Sequence, residues 1–353
     1  MHIFQIINQA FTNKRIASVV RKRQRRAVLF VFLLFVPFPL FFSCLSFYRT
    51  AYALGGMTDR MEDVFPENGK YTVKVRTSRG ELRLGMERYI AYALPAVIPA
   101  DYEEEMLKVQ AILLRTELLY LYEEQKKQQG ELPGWEPYCI ELPQDERFKN
   151  YMTFSEQKKF FGENYEESIT KYCHAVLETS GMYVKKNEKP AKTAWFRVSA
   201  GITREGILCE QDYKSQDYFN SSVITWKEFK KTMQTLLGPE VKNVQEIHFL
   251  KEEEASVYPE FLVFEVTMQT DDGRNEVSRR QIPAAAFCQA FRLLSPCIQD
   301  IEENRSEVRI TVKGAGHGSG MSQYAANELA KEEKDYTEIL NTFFTNIAID
   351  KFE

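Results

Sequence analysis

The chain is expected to fold as an α+β body carried behind an N-terminal transmembrane helix, with a smaller strand-rich lobe inside the body. Three observations predict this. A stretch of 22 residues without a charge, Ala27 to Tyr48, follows a basic N-terminus. Segments such as YTVKVRT and FLVFEVTM alternate apolar and polar residues, as half-buried strands do. Between and after them lie segments with helical periodicity and end signals, the longest from Asp101 to Gly130.

The 353 residues are 44% hydrophobic and 27% charged, which suffices for a sizeable core and excludes a disordered chain. The formal charge of −4 conceals an asymmetry. Residues 1–26 hold seven Lys or Arg and no acid, leaving 39 basic residues against 50 acidic ones in the rest. So acidic a body argues against nucleic-acid binding. The run RKRQRR, ending at Arg26, keeps the N-terminus (1–26) cytoplasmic and the body outside the cell membrane, with 27–48 as a single-pass anchor. A cleaved signal peptide and a lipoprotein cysteine at Cys44 are the alternatives. The apolar run is long for the first, and Phe41, Phe42 and Ser43 suit the second poorly.

After the anchor, 49–70 reads as a stalk with Gly55, Gly56, Pro66 and Gly69. The body follows as 71–353. Tyr71 to Thr77 is a strand whose hairpin partner is Glu81 to Leu84. The helix from Asp101 takes Asp101 as N-cap, Glu104 in the capping-box position and Gly130 as its stop. Met106, Val109, Leu113 and Tyr120 form its apolar face, and Glu104, Lys108, Ala111 and Arg115 share another stripe, which reads first as a solvated face. Further helices are expected at Tyr165 to Thr179, at Trp226 to Leu237 and near Ala284 to Leu294, with a strand at Ala194 to Ser199. The strand-like runs of 245–310 suggest the smaller lobe. Two helices close the chain, the first capped by Ser319 or Ser322. Five cysteines beyond the membrane cannot all pair internally, and none has CxxC spacing, so buried free thiols are expected and no metal site.

The densest motif is GAGHGSGMSQY, Gly314 to Tyr324, which sets His317 among four glycines just ahead of a helix. Ser319 stands where a dinucleotide fingerprint needs glycine, and no GK[ST] follows, so both nucleotide readings fail. What remains is a side-chain-poor turn at which backbone amides and His317 approach a ligand, or a structural turn with a satisfied histidine.

GHGSGMSQYAANELAKEEKDYTEIL resembles the C-terminal signature of the stage II sporulation protein D and amidase-enhancer family, GHGVGMSQYGA followed by YxxIL. Two more segments agree in order. MERYIAYALPAVIPADYEEEMLKVQAILLRT resembles the family's LExYVxGVVxxEMPxxxxxEALKAQAxAART through Glu87, Tyr89, Pro99, Glu105, Leu107, Lys108, Gln110, Ala111, Arg115 and Thr116. WFRVSAGITRE is more loosely similar to FHSxSGGxT, through Ser199, Gly201 and Thr203.

The resemblance implies a membrane-anchored, extracytoplasmic lytic transglycosylase that acts on peptidoglycan glycan strands stripped of peptides by a cell-wall amidase, among the membrane proteins of the engulfment machinery, without a cofactor. One carboxylic acid suffices for that reaction: it protonates the leaving oxygen and then takes the proton of the sugar's own 6-hydroxyl as that hydroxyl attacks. The departure lies there. The family's acid sits in EMP, and this chain has VIP, with Val97 at the acid's position. Asp101, Glu87 and Glu103 to Glu105 are the carboxylates close enough in sequence to substitute, and without such a substitute the protein is a glycan-binding pseudoenzyme. The resemblance places Arg115 in the groove, and implies that Lys108, Gln110, Ser199, Gly201, Gly316, Gly318, Ser319, Gln323 and Tyr324 join Val97, Arg115 and His317 around the sugar. For Gln110 and Tyr324 there is a second reading, as partners of the adjoining loop backbone.

Overall fold

A computed structural model of the chain describes residues 64–65, 69–77, 80–130, 134–143, 151–238, 244–250, 256–269, 273–304 and 306–352. The basic N-terminus, the expected anchor Ala27–Tyr48 and most of the stalk lie outside the described residues. Among the described residues, no helix is long and apolar enough to cross a membrane.

The described residues form an α+β body. It begins earlier than residue 71: Phe65 is buried, packs its ring 6.4 Å from Phe154 and accepts a 2.6 Å hydrogen bond from Arg88 at its carbonyl. A burial of this kind takes Phe65 out of the expected stalk. Strands β1 (Thr72–Thr77) and β2 (Gly80–Gly85) form an antiparallel hairpin, and β3 (Cys139–Glu141) runs parallel to β1 on its other side.

From β2 the chain turns straight into α1 (Met86–Val97) and, after a six-residue connection, into α2 (Glu104–Gln129). Pro95 lies inside α1 and has no N–H to give Ala91, four residues back. The Gln157 side chain supplies the missing donor, reaching the Ala91 carbonyl at 3.1 Å, so the helix continues through the proline. The expected cap at Asp101 is not used. Tyr102 N–H bonds the Pro99 carbonyl in a turn, Glu103 is the N-cap residue, and its own N–H is held by Asn327 Oδ1 at 2.8 Å.

Helix α2 is also not one-sided. Leu107, Gln110, Ala111, Ile112, Leu114, Arg115 and Thr116 are buried as well as Met106, Val109 and Leu113. The reason is its surroundings: α1, α4 (Tyr165–Glu178), β4 (Met182–Lys186) and the C-terminal helices α7 (Gln323–Lys331) and α8 (Tyr336–Phe343) pack around it. A helix enclosed in this way is buried on every side. Helix α3 (Phe154–Phe161), which packs on α4, starts at a Thr153–Glu156 capping box. Strands β5 (Lys189–Pro190) and β14 (Ala348–Lys351) flank β4, so the chain's end closes against the body.

The strand-rich stretch starts before residue 245. Strand β7 (Phe219–Thr225) and helix α5 (Trp226–Leu237) precede β8 (Val244–Leu250), β9 (Phe261–Gln269), β10 (Asn275–Pro283), α6 (Ala284–Phe291), β11 (Ile298–Glu303) and β12 (Glu307–Lys313). They form two antiparallel sheets, ordered β10-β9-β8 and β11-β12-β7. Phe229 and Met233 of α5 share one apolar core with Phe264 and Val266 of β9, Phe287 of α6 and Ile310 of β12, which is why β7 and α5 belong to this lobe.

The chain leaves the main body for the lobe through β6 (Trp195–Phe196) and returns through β13 (Met321–Ser322), and these two strands pair in parallel. Val198 and Ala315 exchange both backbone hydrogen bonds, at 3.1 and 2.7 Å. Segments more than a hundred residues apart in sequence thus lie side by side at the base of the lobe.

Candidate functional site

The glycine turn owes its shape to close backbone approaches. A Cβ at Gly320 would stand 2.1 Å from the Ala194 carbonyl oxygen, and one at Gly318 would stand 2.5 Å from the Tyr258 ring; both residues have φ near +80°. Only glycine fits there. Residues of the WFRVSAGITRE segment then lock the turn: Arg204 donates from Nε to the His317 carbonyl at 2.8 Å and from its backbone N to the Gly318 carbonyl at 2.7 Å. Glu205 accepts from Gly320 N at 2.9 Å.

A buried carboxylate joins the two motifs underneath. Asp212 accepts from Ser199 N at 2.7 Å and, with both oxygens, from the Ser322 hydroxyl at 3.0 and 2.8 Å. Burial raises its pKa above the ordinary aspartate value, against the hydrogen bonds from Ser199 and Ser322, which act to lower it. Ser322 also caps α7, and Gly201 N bonds the Ser199 hydroxyl at 3.0 Å. Ser199 and Gly201 are therefore parts of the frame.

Above the frame lies a cleft of about 390 Å³, walled by α1 and α2 on one side and by Thr193–Arg197 and Ala315–His317 on the other. Of the residues named from the sequence, it brings together Val97, Gly316, His317 and Gln323. Val97 is half-buried and lines the cleft. Gln323 donates from Nε2 to the Val97 carbonyl and to Gln110 Oε1, both at 2.9 Å, which ties the first motif to the last. His317 is exposed; its Nδ1 accepts from Ser319 N at 3.1 Å, so the neutral ring carries its proton on Nε2. Trp195, Tyr89, Phe196 and Arg197 complete the wall, and Arg197 is ion-paired with Asp217.

The other named residues do not line it. Arg115, expected in the groove, is 0% exposed and holds Glu87 with two hydrogen bonds while donating to the Met182 carbonyl at 2.8 Å. That leaves it no face toward a ligand. Lys108 is drawn into Glu105 (2.7 Å), Glu178 (2.5 Å) and Glu104 (3.6 Å). Burial acts to lower its pKa, but the bonds to Glu105 and Glu178 outweigh it and leave the ammonium above the usual lysine value. The stripe read as solvated is thus paired and largely buried. Gln110 is buried against Gln323, Ser319 serves the His317 ring from its backbone, and Gly318 is packed on Tyr258. Tyr324 packs on Val198 and Ala315 and its N–H bonds the Arg197 carbonyl.

Among the described residues one group could hold a metal, Glu104, His174 and Glu178, whose ligand atoms lie within 4.8 Å of one another. Both imidazole nitrogens are already engaged by these carboxylates, and the Lys108 ammonium supplies the positive charge there. It is an ion-pair cluster linking α2 to α4, apart from the cleft. The cysteines Cys139, Cys173, Cys209, Cys288 and Cys297 are thiols rather than disulfides, and burial raises the Cys173 and Cys209 thiols to about 12.

One cleft residue escapes a reading confined to the neighbourhood of Val97. Glu117 is the carboxylate in the lining, between Leu114 and Leu118 on one face of α2 and electrostatically coupled to the Tyr89 phenol. A lone acid within ILLRTELLYL was the available signal. Glu117 lies near Tyr89, whose phenol feels its charge, and Tyr89 is eight residues from Val97 on α1. At ~1.5 Å per residue, that is about 12 Å along the helix.

This architecture defines a class: an α+β protein whose inserted strand lobe returns through a glycine-cornered HGSG turn to close a cleft over a helical hairpin. The chain is similar to the stage II sporulation protein D family. The family described as SpoIID, Stage II sporulation protein, matches residues 81–185. Stage II sporulation protein D of Bacillus subtilis (strain 168) is 24% identical over 279 residues, 75% of this chain and 74% of that protein. The protein of the same name from Bacillus amyloliquefaciens is 24% identical over 287 residues, 78% and 77% of the two chains.

Proposed function

We propose that this is a sporulation protein of the cell wall whose cleft holds a peptidoglycan glycan strand, and that it binds or scaffolds with little or no lytic activity. The observation that carries the reading is Val97 in the cleft lining. Where the family resemblance puts a general acid, an isopropyl group faces the cleft, and it can neither donate nor accept a proton. Of the carboxylates expected to substitute, Glu87 is committed to Arg115, and Glu104 and Glu105 to Lys108, while Asp101 and Glu103 are exposed and are not among the residues lining the cleft. Glu117, about two helical turns away, is too distant to stand in for the acid, since catalytic groups tolerate displacements of only about 1 Å.

Binding is retained on chemical grounds. Trp195 and Tyr89 offer apolar ring surface, while Gln323, His317, Thr193 and Arg197 offer hydrogen-bonding groups, a mixture suited to the apolar faces and hydroxyl edges of sugars. The expected setting is membrane-anchored through Ala27–Tyr48 with the body outside, beside a cell-wall amidase and the membrane proteins of engulfment.

The test is co-sedimentation of the full chain with purified peptide-free glycan strands, with mass spectrometry of the supernatant. Retention on the strands with few or no anhydro-muramyl ends is expected. No retention would end the binding reading, and abundant anhydro ends would show an active transglycosylase using another carboxylate.

A further inference from the structure

The two sheets of the lobe present four outer strands, β10, β8, β11 and β7. An outer strand leaves a row of backbone N–H and C=O groups with which another chain can pair, and charges, proline and bulges blunt it. Three of the four are blunted. Strand β10 carries Glu276, Arg279, Arg280 and Pro283. Strand β8 carries Glu246 and His248 and shifts register between Val244 and Glu246, and β11 carries Asp300, Glu302 and Glu303 and shifts between Ile298 and Asp300. Strand β7, FNSSVIT, has no charge, no proline and an unbroken register with β12.

The ends of β7 fix where its backbone points. Gly314 N bonds the Tyr218 carbonyl at 2.7 Å and Trp226 N bonds the Ser306 carbonyl at 2.9 Å, so even-numbered positions face β12. Phe219, Ser221, Val223 and Thr225 then turn their backbone groups outward. Glu228 Oε2 takes the Thr225 N–H at 3.3 Å. Among the described residues nothing bonds the outward backbone of Phe219, Ser221 and Val223. Their side chains share one open face: Phe219 is 59% and Val223 46% exposed, with exposed Ser221 between them. Ile224 packs into the lobe core from the other face.

A strand that fits this edge must be uncharged along the seam and must set apolar groups opposite Phe219 and Val223. Strand β7 meets both conditions itself. An antiparallel copy related by a two-fold axis at Ser221 sets Phe219 opposite Val223 of the second copy and Ser221 opposite its equivalent. Each pair exchanges both backbone bonds, and the Thr225 N–H stays with Glu228. An aromatic ring opposite a β-branched side chain is a favourable cross-strand pair. The antiparallel direction also lays the end flanked by Lys313 beside the end flanked by Glu307 of the second copy, so the bordering charges are opposite in sign. Arg309, beside Val223, is held by Glu302 of β11 at 4.0 Å.

We propose that two copies of this chain pair antiparallel along β7, about a two-fold axis at Ser221, and join their β11-β12-β7 sheets into one continuous sheet. A seam this short buries little surface, so the association is reversible and depends on concentration.

The full chain carrying Ser221→Cys is treated with a short bismaleimide and run on a denaturing gel. Two controls accompany it: the wild type, for the native thiols, and Lys227→Cys, an exposed position that the register sets far from its equivalent. Ser221→Cys is expected to give at least about tenfold more covalent dimer than either control. Val223→Lys, added to Ser221→Cys, puts a charge on the edge and should cut that yield about tenfold. In sedimentation equilibrium the wild type should rise toward the dimer mass between about 1 and 100 µM, while Ser221→Pro stays monomeric. That proline removes an N–H that β12 does not use, so its thermal melt should match the wild type. A wild type that is monomeric throughout, or equal cross-linking of Lys227→Cys, overturns the pairing. So does a Ser221→Cys adduct from sporulating cells with the mass of another protein added, which would mean that a different strand holds the edge.

Discussion

Arg115 and Glu87 form a two-pronged ion pair, Nε to Oε1 at 2.8 Å and Nη2 to Oε2 at 2.6 Å, that clamps the start of α1 to the middle of α2. Glu87 Oε1 also accepts from Gly181 N at 3.2 Å, so the pair reaches the turn before β4. Removing one partner strands a buried charge. Arg115→Ala should therefore cost about 3–5 kcal/mol of stability in urea unfolding, and Glu87→Met combined with Arg115→Met should recover a large part of it. Glycan binding per folded molecule should be unchanged by the double substitution. A loss of binding without a loss of stability in Arg115→Ala would place that side chain in the groove after all.

Val97→Glu returns a carboxylic acid to the cleft that Gln323 and His317 also line. A positioned general acid contributes about 10²- to 10⁴-fold, so anhydro-muramyl product from peptide-free strands should rise by a factor in that range over the wild type. Mass spectrometry of the digested strands measures it. An inactive Val97→Glu protein that still binds strands would mean that the surrounding groups no longer orient the sugar.

Gly320 has φ +79° and admits no Cβ, because one would stand 2.1 Å from the Ala194 carbonyl oxygen. Gly320→Ala should cost at least about 2 kcal/mol through left-handed strain and backbone displacement together. The displaced backbone carries Met321, whose N–H bonds Ala194 at 3.0 Å, so the β6–β13 pairing should loosen and amide exchange at Met321 should accelerate. Unchanged exchange would contradict the close approach.

Asp212 carries a pH prediction. Its folded pKa is raised above the unfolded value near 3.8, so the folded state holds the proton more tightly than the unfolded one. The stability this contributes is present below 3.8 and is lost as pH rises through the folded pKa. The wild type should accordingly gain on Asp212→Asn as pH falls through that window in thermal melts. Parallel stability curves for the two proteins would refute the shift. Asp212→Ala should cost about 1–3 kcal/mol for each donor it leaves unsatisfied, Ser199 N–H and the Ser322 hydroxyl.

Local signals in the sequence determined much of the scaffold. Trp226–Leu237 was expected as a helix within the bounds it has, and its Thr225–Glu228 capping box explains why the start is sharp. The β1–β2 hairpin, the helices α4 and α8, the stop of α2 at Gly130 and the capping of α7 by Ser322 are equally local, each set by residues within one or two turns. The position of Val97 and the nearness of the HGSG turn to the first motif were legible through the resemblance alone.

What only the tertiary structure decided was the company each side chain keeps. Helical periodicity puts Lys108 and Arg115 on one stripe, but whether that stripe meets water or carboxylates depends on Glu87 and Glu178, which come from other helices. Ser199 and Ser322 are 123 positions apart and share Asp212, which no spacing rule relates to either. Glu117, which the sequence reading did not single out, lines the cleft only because α1 and the Thr193–Arg197 segment pack beside it. Sequence reports the backbone preferences and charges that act over a few residues. Desolvation and pairing act across space, so the identity of a buried partner, and with it the line between a framework residue and a ligand-facing one, is settled only when the distant segments pack.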